Sequence, residues 1–327
     1  MEEEIELKID KELLREFEEG LDPLKPEESK IPARVLGYGE ISTVFEILHE
    51  EQSDIAFKRM PLFDNMEQVE RYRDVYNRYH DRFKQIRIDI PEYGSVVIET
   101  EKGRIVLYLY QKKLPSESIG NSMIHHISET GVHNLVSTIL DQLNKVWEFN
   151  RHESPHAEVA IDGQISNWAI RNYIPDAGDP QLGEDLLYLD TSTPLFRENG
   201  EEQLDVELFL KPTPPGIRWY LKKYYLQDIV DRYYDFRKVV IDLVANFLKE
   251  QRSEFVPGLV DLINTYFSTE ATDQDAEPIT VEEIEEYYKD DASTWKLYLR
   301  MRKAHRFIKT KILRGYYAYI LPADIQR

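Results

Sequence analysis

The spacing of hydrophobic and polar positions changes near residue 115. Before that point, five short β-prone runs are separated by turn signals such as HEEQSD and TEKG: ARVLGY, STVFEILHE, DIAFKRM, SVVIETE and RIVLYLYQK. Short runs of this kind, bounded by turns, are typical of strands. A polar stretch with helical spacing, NMEQVERYRDVYNRYHDRF, lies between the third run and the fourth. This pattern predicts a small antiparallel sheet with one helix packed against it.

After residue 115 the apolar positions recur mostly at helical spacing. A strand-like LLYLD interrupts four helical segments: HNLVSTILDQLNKVWEFNRH, 216–252, PGLVDLINTYF, and a long one from Val281 to about Tyr319. The first 20 residues are also helix-like, and the proline-bearing stretch LDPLKPEESKIP ends that pattern. The sequence therefore predicts an α+β protein with an N-terminal helix and linker (1–32), a β-rich N-lobe (33–114) and an α-helical C-lobe (115–327).

Composition narrows the class of protein. A chain of 327 residues is long enough for two lobes. It contains no cysteine, which excludes disulfides, thiolate metal sites and cysteine nucleophiles, and which fits a reducing compartment. The first residues do not resemble a signal peptide, and no apolar run approaches the roughly 20 residues that span a bilayer. We therefore expect a soluble, cytoplasmic protein.

The formal net charge of −20 predicts that neither nucleic acid nor an acidic membrane is a partner, because both attract basic surfaces. The last 40 residues are a local exception. Their helical spacing predicts the solvated face of a helix, and a basic docking patch is the alternative. The basic residues are Lys296, Arg300, Arg302, Lys303, Arg306, Lys309, Lys311 and Arg314.

A glycine motif opens the β-rich lobe. In LGYGEISTVFEI, Gly37, Gly39, Ser42 and Val44 follow the pattern G-x-G-x-x-G-x-V, with serine in place of the third glycine. Glycines between two strands let backbone amides approach phosphate oxygens without a Cβ in the way. The motif indicates a nucleotide-binding loop, although a glycine-rich hairpin turn would have the same sequence.

Lys58 lies in the apolar strand DIAFKRM, at the place that V-A-I-K gives to a phosphate-binding lysine. A buried ammonium needs a partner. Glu67, Glu70 and Asp74 recur at i, i+3 and i+7 on the next helix, and Glu70 is the predicted partner. Alternatively, Lys58 lies on the polar face of its strand and the carboxylates on a solvated helix face.

The segment IDGQISNWAI contains Asp162 and Asn167 at the spacing D-x-x-x-x-N, after a long amphipathic helix. In the kinase catalytic loop this aspartate accepts the substrate proton and this asparagine binds Mg²⁺. Downstream, LLYLDTSTP places Asp190 after an apolar strand, as a second metal ligand. Two oxygen ligands together with nucleotide phosphates suit Mg²⁺. Taken without the glycine motif, Lys58 and Asp190, the segment IDGQISNWAI would be interpreted as a polar turn.

In this order the motifs resemble those of the protein-kinase-like superfamily. They are more similar to its aminoglycoside phosphotransferase and choline kinase branch than to protein kinases. The resemblance covers residues 37–190 and implies a bilobal protein-kinase-like fold. It also implies ATP or GTP and Mg²⁺ as cofactors, and transfer of the γ-phosphoryl group to a hydroxyl of a small-molecule acceptor. The acidic chain favours a cationic acceptor, such as an amine or amino sugar, with an acidic rim at Asp176, Asp179, Glu184 and Asp185.

The chain departs from the family pattern in several places. Ala160 stands where the superfamily usually has a loop-shaping histidine, and Asp190 is followed by Thr191-Ser192 instead of Phe-Gly. No A-P-E follows Asp190, which argues against a protein kinase with a regulated activation segment. The departures leave a second hypothesis, a pseudokinase or scaffold that does not turn over. No motif indicates the acceptor, the choice between ATP and GTP, or the oligomeric state.

Overall fold

The β-prone runs form one five-stranded antiparallel sheet with the order β1-β2-β3-β5-β4. A computed structural model describes residues 7–39, 41–175, 178–180, 185–224 and 226–322. The strands are β1 (Ala33–Tyr38), β2 (Thr43–Ile47), β3 (Ile55–Met60), β4 (Tyr93–Glu99) and β5 (Ile105–Lys112). The predicted sheet is confirmed, and the polar stretch between β3 and β4 is the predicted helix, α2 (Met66–Ile86).

Helices cover both faces of the sheet, so every residue of the central strand β3 is buried. Side chains alternate between the two faces of a strand. Phe57 accordingly packs in a cluster with the N-terminal helix α1 (Lys11–Gly20), whereas Met60 packs in the cluster that contains α2. Asp10 caps α1 by accepting hydrogen bonds from the backbone N–H groups of Glu12 and Leu13, both at 2.9 Å. The two faces of β3 therefore pack in different hydrophobic clusters.

A buried ion pair joins α1 to β3. The Arg59 guanidinium donates to both carboxylate oxygens of Glu18, at 2.7 and 2.8 Å, and also to the Ala318 carbonyl oxygen. The Tyr108 hydroxyl donates to the same carboxylate. Burial raises the pKa of Glu18, but the charge of Arg59 and these hydrogen bonds outweigh burial and hold the pKa below its usual value. The pair is therefore ionised inside the N-lobe.

The C-terminal part of the chain is mostly helical, which completes the predicted α+β, bilobal architecture. Helix α4 begins after Ser128, whose side chain caps it by accepting a hydrogen bond from the Gly131 N–H. The helix buries the apolar positions that the sequence spacing indicates. Helix α7 is buried on nearly all sides and packs against α4, α8 and α9. The helices are α3 (Gly120–Met123), α4 (Glu129–Glu153), α5 (Pro215–Tyr224), α6 (Leu226–Asp231), α7 (Phe236–Lys249), α8 (Val256–Thr269) and α9 (Val281–Phe307).

The long helix predicted to end near Tyr319 is shorter. Helix α9 ends at Phe307, and one π-helical turn, Ile308–Ile312, follows it. Arg314 then takes a left-handed backbone conformation with φ of 52°, which helices of L-residues do not continue. The remaining segment returns to the sheet, where Ile320 packs in the cluster that contains α1. None of the helices within the described residues is long and apolar enough to cross a membrane.

Five short strands follow α4 in the chain, and the segments that connect them carry the polar motifs. β7 pairs with β8, and β6 pairs with β9, which also pairs with β10. The loop between β6 and β7 contains Asp162, and the residue two positions after β8 is Asp190. The strands are β6 (Ala157–Val159), β7 (Trp168–Ile170), β8 (Leu186–Tyr188), β9 (Phe196–Glu198) and β10 (Glu201–Glu202).

Candidate active site

A cleft of about 1090 Å³, including the solvent in its mouth, brings most of the predicted site residues together. The turn between β1 and β2 contributes Gly39 and Ser42, the loop after β6 contributes Asp162 and Asn167, and the segment after β8 contributes Asp190. These residues are far apart in sequence. The cleft is therefore the candidate active site.

Lys58 does not itself line the cleft, but it forms an ion pair with Asp190, which does. The Lys58 ammonium lies 2.8 Å from Oδ1 of Asp190 and donates a second hydrogen bond, of 3.2 Å, to the Leu189 carbonyl oxygen. The Ser192 hydroxyl donates to the same Oδ1 at 2.7 Å. Burial raises the pKa of Asp190, but Lys58 and Ser192 outweigh burial and lower the pKa. Lys58 thus has its partner in the other lobe.

The predicted pairing of Lys58 with Glu70 does not occur. Glu70 is exposed and accepts a hydrogen bond of 3.1 Å from Arg73 on its own helix. Glu67 and Asp74 are also exposed. Helix α2 has two faces at helical spacing, and its apolar and aromatic face packs inward because burying it stabilises the fold more than burying carboxylates. The inward residues include Val69, Tyr72, Val75, Tyr76 and Tyr79.

The loop with Asp162 and Asn167 is closed by its own hydrogen bonds. Oδ1 of Asp162 accepts from the backbone N–H of Gln164 at 3.1 Å, and Nδ2 of Asn167 donates to the Asp162 carbonyl oxygen at 3.2 Å. A Cβ on Gly163 would lie 2.7 Å from the Val239 Cγ1 of α7, so a larger residue here would have to displace Val239. Close packing against α7 holds the Asp162 carboxylate and the Asn167 amide at the cleft.

Two buried tyrosines support the loop on either side of Ile161. The Tyr79 hydroxyl donates to the Ala160 carbonyl oxygen at 2.7 Å. The Tyr188 hydroxyl accepts from the backbone N–H of Asp162 at 3.3 Å, and its ring lies 5.0 Å from that of Trp168. Alanine at position 160 therefore does not leave the loop without support. Sequence spacing gave no sign of these two tyrosine contacts.

The glycine motif is only partly at the cleft. The Gly39 N–H donates to the Ser42 carbonyl oxygen at 3.0 Å and closes the turn, and both residues line the cleft. Gly37 lies further back, opposite Val44 and beside an irregularity in the pairing of β1 with β2. The intervening Glu40 lies outside the described residues. Gly39 therefore lies closer to the cleft than Gly37, and phosphate binding by this turn stays a prediction.

Asp162 is poised to exchange a proton near neutral pH. Burial, followed by the negative charges of Asp242 and Asp190, raises its pKa to about 7. Asp242 lies on α7, is 8% exposed, and accepts a hydrogen bond of 3.0 Å from the Tyr287 hydroxyl. Sequence reasoning missed Asp242. Its signal was a carboxylate in the middle of the apolar helical run KVVIDLVANFLK, where a buried charge needs a reason.

Asn167 and Asp190 could hold a divalent cation together with nucleotide phosphates. They supply an amide and a carboxylate, oxygen ligands of the kind that Mg²⁺ prefers, and Mg²⁺ usually takes only one or two carboxylates from the protein. Nδ2 of Asn167 is used within the loop, so the amide oxygen is the atom that suits a metal. The described residues contain no cluster of three or more His, Cys, Asp or Glu that could bind a metal unaided.

The predicted acidic rim is only partly described. Oδ1 of Asp179 accepts a 2.8 Å hydrogen bond from the backbone N–H of Ser128, so this carboxylate helps to fix the start of α4. Asp185 is exposed. Asp176 and Glu184 lie outside the described residues. The rim thus remains a prediction.

Comparisons with known proteins give a family but no activity. The sequence model of a family of unknown function (DUF6206) matches residues 26–306 of the chain. No curated protein matches it. Among solved structures, the chain is similar to WaaP in complex with acyl carrier protein, with 11% identity and a TM-score of 0.34 over 90% of this chain and 98% of that one. At this TM-score the similarity supports no statement about what the chain binds.

Proposed function

The chain belongs to the DUF6206 family, and we propose that it transfers the γ-phosphoryl group of ATP or GTP to a hydroxyl of a small molecule. One observation carries the proposal. Asp190, which pairs with Lys58, lines one cleft together with Asp162, Asn167 and the turn that contains Gly39. The order of these residues resembles that of the aminoglycoside phosphotransferase and choline kinase branch of the kinase-like superfamily.

Each residue would have a distinct role. The backbone of the turn at Gly39 and the Lys58 ammonium would bind nucleotide phosphates, which requires Lys58 to share or exchange its contact with Asp190. Asp190 and the Asn167 amide oxygen would hold Mg²⁺, which offsets negative charge on the phosphates. Catalysis of this kind consists mainly of positioning and electrostatic stabilisation.

Asp162 would act as the base. The acceptor oxygen forms a bond to the γ-phosphorus while the bond from that phosphorus to the β–γ bridging oxygen breaks. The nucleoside diphosphate leaves with the bonding electron pair, and the hydroxyl proton passes to the Asp162 carboxylate. A pKa near 7 places this carboxylate in the range where it can accept and release a proton at neutral pH.

The helical side of the cleft is lined by charges of both signs. Asp162 and Asp291 lie there, and so do Arg232 and Lys249. Asn246 also lines the cleft, is 4% exposed, and its Oδ1 has no hydrogen-bond partner among the described residues. A hydroxyl or ammonium donor of the acceptor would satisfy this buried oxygen. The proposed amine or amino sugar carries such donors, and its positive charge is an expectation from the acidic composition of the chain.

A binding protein without turnover is the second candidate, and the contacts of Lys58 favour it. Its ammonium is already held by the Asp190 carboxylate and the Leu189 carbonyl oxygen. If nucleotide does not displace these contacts, the cleft cannot arrange phosphates for transfer. Binding of Mg-nucleotide distinguishes a nucleotide-dependent protein from a scaffold that does not bind nucleotide, and turnover separates an active kinase from a pseudokinase.

We expect Mg-nucleotide to raise the melting temperature of the wild-type protein by roughly 5 °C at about 100 times the Kd, since such binding is worth about 2.7 kcal/mol. Without Mg²⁺ the rise should be smaller. Asp190→Ala should abolish the rise, measured against the melting temperature of the same variant without ligand. Asp261→Ala removes an exposed carboxylate of α8 and should keep the full rise. The proposal fails if no nucleotide stabilises the wild type or if Asp190→Ala responds as fully as the control.

Asp242→Asn should move the acid side of the activity profile to lower pH. Ionised Asp162 is the active form, so kcat/KM rises with pH through the pKa of about 7 in the wild type. Removing the negative charge of Asp242 stabilises ionised Asp162 and should lower that midpoint by about one pH unit. The measurement is kcat/KM for phosphoryl transfer between pH 5 and 9, with Asp261→Asn as the control. An unchanged midpoint in Asp242→Asn would mean that Asp242 does not influence the base.

A further inference from the structure

The C-terminal end of α9 and the π-helical turn after it expose a group of large apolar side chains. Phe307, Ile308, Ile312 and Leu313 are 60%, 46%, 63% and 69% exposed. Single exposed apolar residues are common on protein surfaces, but a group at one end of one helix indicates a surface that meets a partner. We call this group the apolar tip.

Basic residues surround the apolar tip. The segment 292–322 contains eight lysines and arginines and no aspartate or glutamate, in a chain whose formal net charge is −20. Lys309, Lys311 and Arg314 are exposed within or next to the tip, and Arg300 is exposed two turns before Phe307 on the same side of α9. Apolar and cationic side chains thus share one surface.

We call the combined area the basic-apolar surface. It comprises Arg300, Lys309, Lys311, Arg314 and the apolar tip.

We propose that the basic-apolar surface docks the protein on an anionic lipid bilayer, as a peripheral contact. An interfacial helix combines Lys and Arg with Trp, Phe and Leu, the apolar side chains entering the boundary between headgroups and acyl chains. Negative lipid headgroups complement the local positive charge and attract each nearby lysine or arginine. The expectation that no membrane is a partner rested on the net charge of the whole chain, which hides this local reversal of sign.

The apolar tip favours lipid over the other anionic partners. Nucleic-acid phosphates would use the lysines and arginines, but they offer nothing to four protruding aliphatic and aromatic side chains. An acidic protein or a second copy of this acidic chain would need a complementary apolar pocket around the tip. A bilayer accepts protruding apolar side chains of any shape. Lipid is therefore the occupant that uses both features of the surface.

Vesicle co-sedimentation tests the proposal with the full chain at about 0.1 M salt. Wild-type protein should bind vesicles with about one third phosphatidylserine and bind pure phosphatidylcholine vesicles much more weakly. Each lysine near an anionic surface is worth about fivefold in partitioning, so Lys309→Glu/Lys311→Glu should reduce binding at least tenfold. Ile312→Asp/Leu313→Asp should reduce it as strongly through the apolar tip. Lys11→Glu/Lys102→Glu, the same charge change at exposed N-lobe positions, should leave binding within about twofold.

Three outcomes would overturn the proposal. The first is a wild-type protein that does not bind the anionic vesicles, and the second is an N-lobe control that loses as much binding as the tip variants. The third is light scattering that shows a wild-type dimer dissociated by the tip substitutions, since a second copy would then cover the surface. Unchanged melting temperatures of the variants exclude misfolding. Slower hydrogen exchange at 307–314 with anionic vesicles would support the contact in the unmodified protein.

Discussion

Asp162→Asn is expected to lower kcat for phosphoryl transfer by about 100- to 10,000-fold, the usual contribution of a positioned general base. Asparagine has almost the shape of aspartate, and its Oδ1 can still accept from the backbone N–H of Gln164. The loop should therefore keep its conformation while losing the group that accepts the proton. The loss should appear in kcat, because the acceptor proton moves in the transition state and not on binding.

Nucleotide binding provides the internal control for this substitution. Mg-nucleotide should stabilise Asp162→Asn as much as it stabilises the wild type, since Asp162 is not among the residues proposed to hold phosphates or metal. Asp261→Asn, the same change at an exposed position of α8, should keep the wild-type kcat. Phosphoryl transfer that survives Asp162→Asn would refute the assignment of the base, whereas preserved nucleotide stabilisation would leave the nucleotide site intact.

Local spacing was enough to locate most of the polar residues at the cleft. The loop motif fixes Asp162 and Asn167 within six positions. Lys58 lies in an apolar strand and Asp190 follows one, and a short apolar run makes each of these strands recognisable. The strands themselves were predictable because short β-branched and aromatic runs ended at turns. Where chemistry depended on a few neighbouring residues, the sequence contained the information.

The partner of Lys58 depended on a choice that spacing cannot make. Helix α2 has an acidic stripe and a tyrosine stripe, both at helical spacing, and both types of residue are common at surfaces. Sequence reasoning selected Glu70 from the acidic stripe as the partner of Lys58. The fold instead buries Tyr72 and Tyr76 of α2, and Lys58 pairs with the Asp190 carboxylate. The ion pair joins residues 132 positions apart. Only the relative placement of the two lobes determines such a contact.

The predicted end of the C-terminal helix was wrong for a similar reason. Apolar and basic residues continue at helical spacing beyond Phe307, so periodicity alone extends α9 to about Tyr319. The segment ends the helix early because its tertiary contacts are with the N-lobe: the Ala318 carbonyl oxygen accepts from Arg59, and Ile320 packs against the sheet. Tertiary contacts of this kind override local propensity.

Strand β3 links the contacts of the C-terminal segment to the candidate site. Lys58 points to Asp190 and Arg59 to the opposite face of the sheet, because neighbouring residues of a strand alternate. Arg59 is 2% exposed and binds Glu18 of α1, which is 0% exposed, as well as the C-terminal segment. The strand that presents Lys58 is therefore held from behind by residues from both ends of the chain.

Glu18→Gln is expected to lower the free energy of unfolding by about 3–5 kcal/mol, because removing one charge of a buried pair leaves the other uncompensated. Glutamine preserves the size of the side chain and can still hydrogen-bond Tyr108, so the loss reports mainly on the buried charge of Arg59. Urea unfolding monitored by circular dichroism gives the measurement. Glu12→Gln breaks an exposed pair with Arg15 on the same helix and should cost less than about 1 kcal/mol.

The pH dependence separates the charge from the loss of packing. The pKa of Glu18 in the folded protein lies below its unfolded value, so its ionised form stabilises the fold above pH of about 4.5, and this contribution is lost as pH falls through the folded pKa. The difference between the wild type and Glu18→Gln should therefore be largest near neutral pH and shrink in acid. A difference that stays constant from pH 7 to pH 3, or one no larger than that of Glu12→Gln, would show that the buried charge pair does not hold α1 to the strand that carries Lys58.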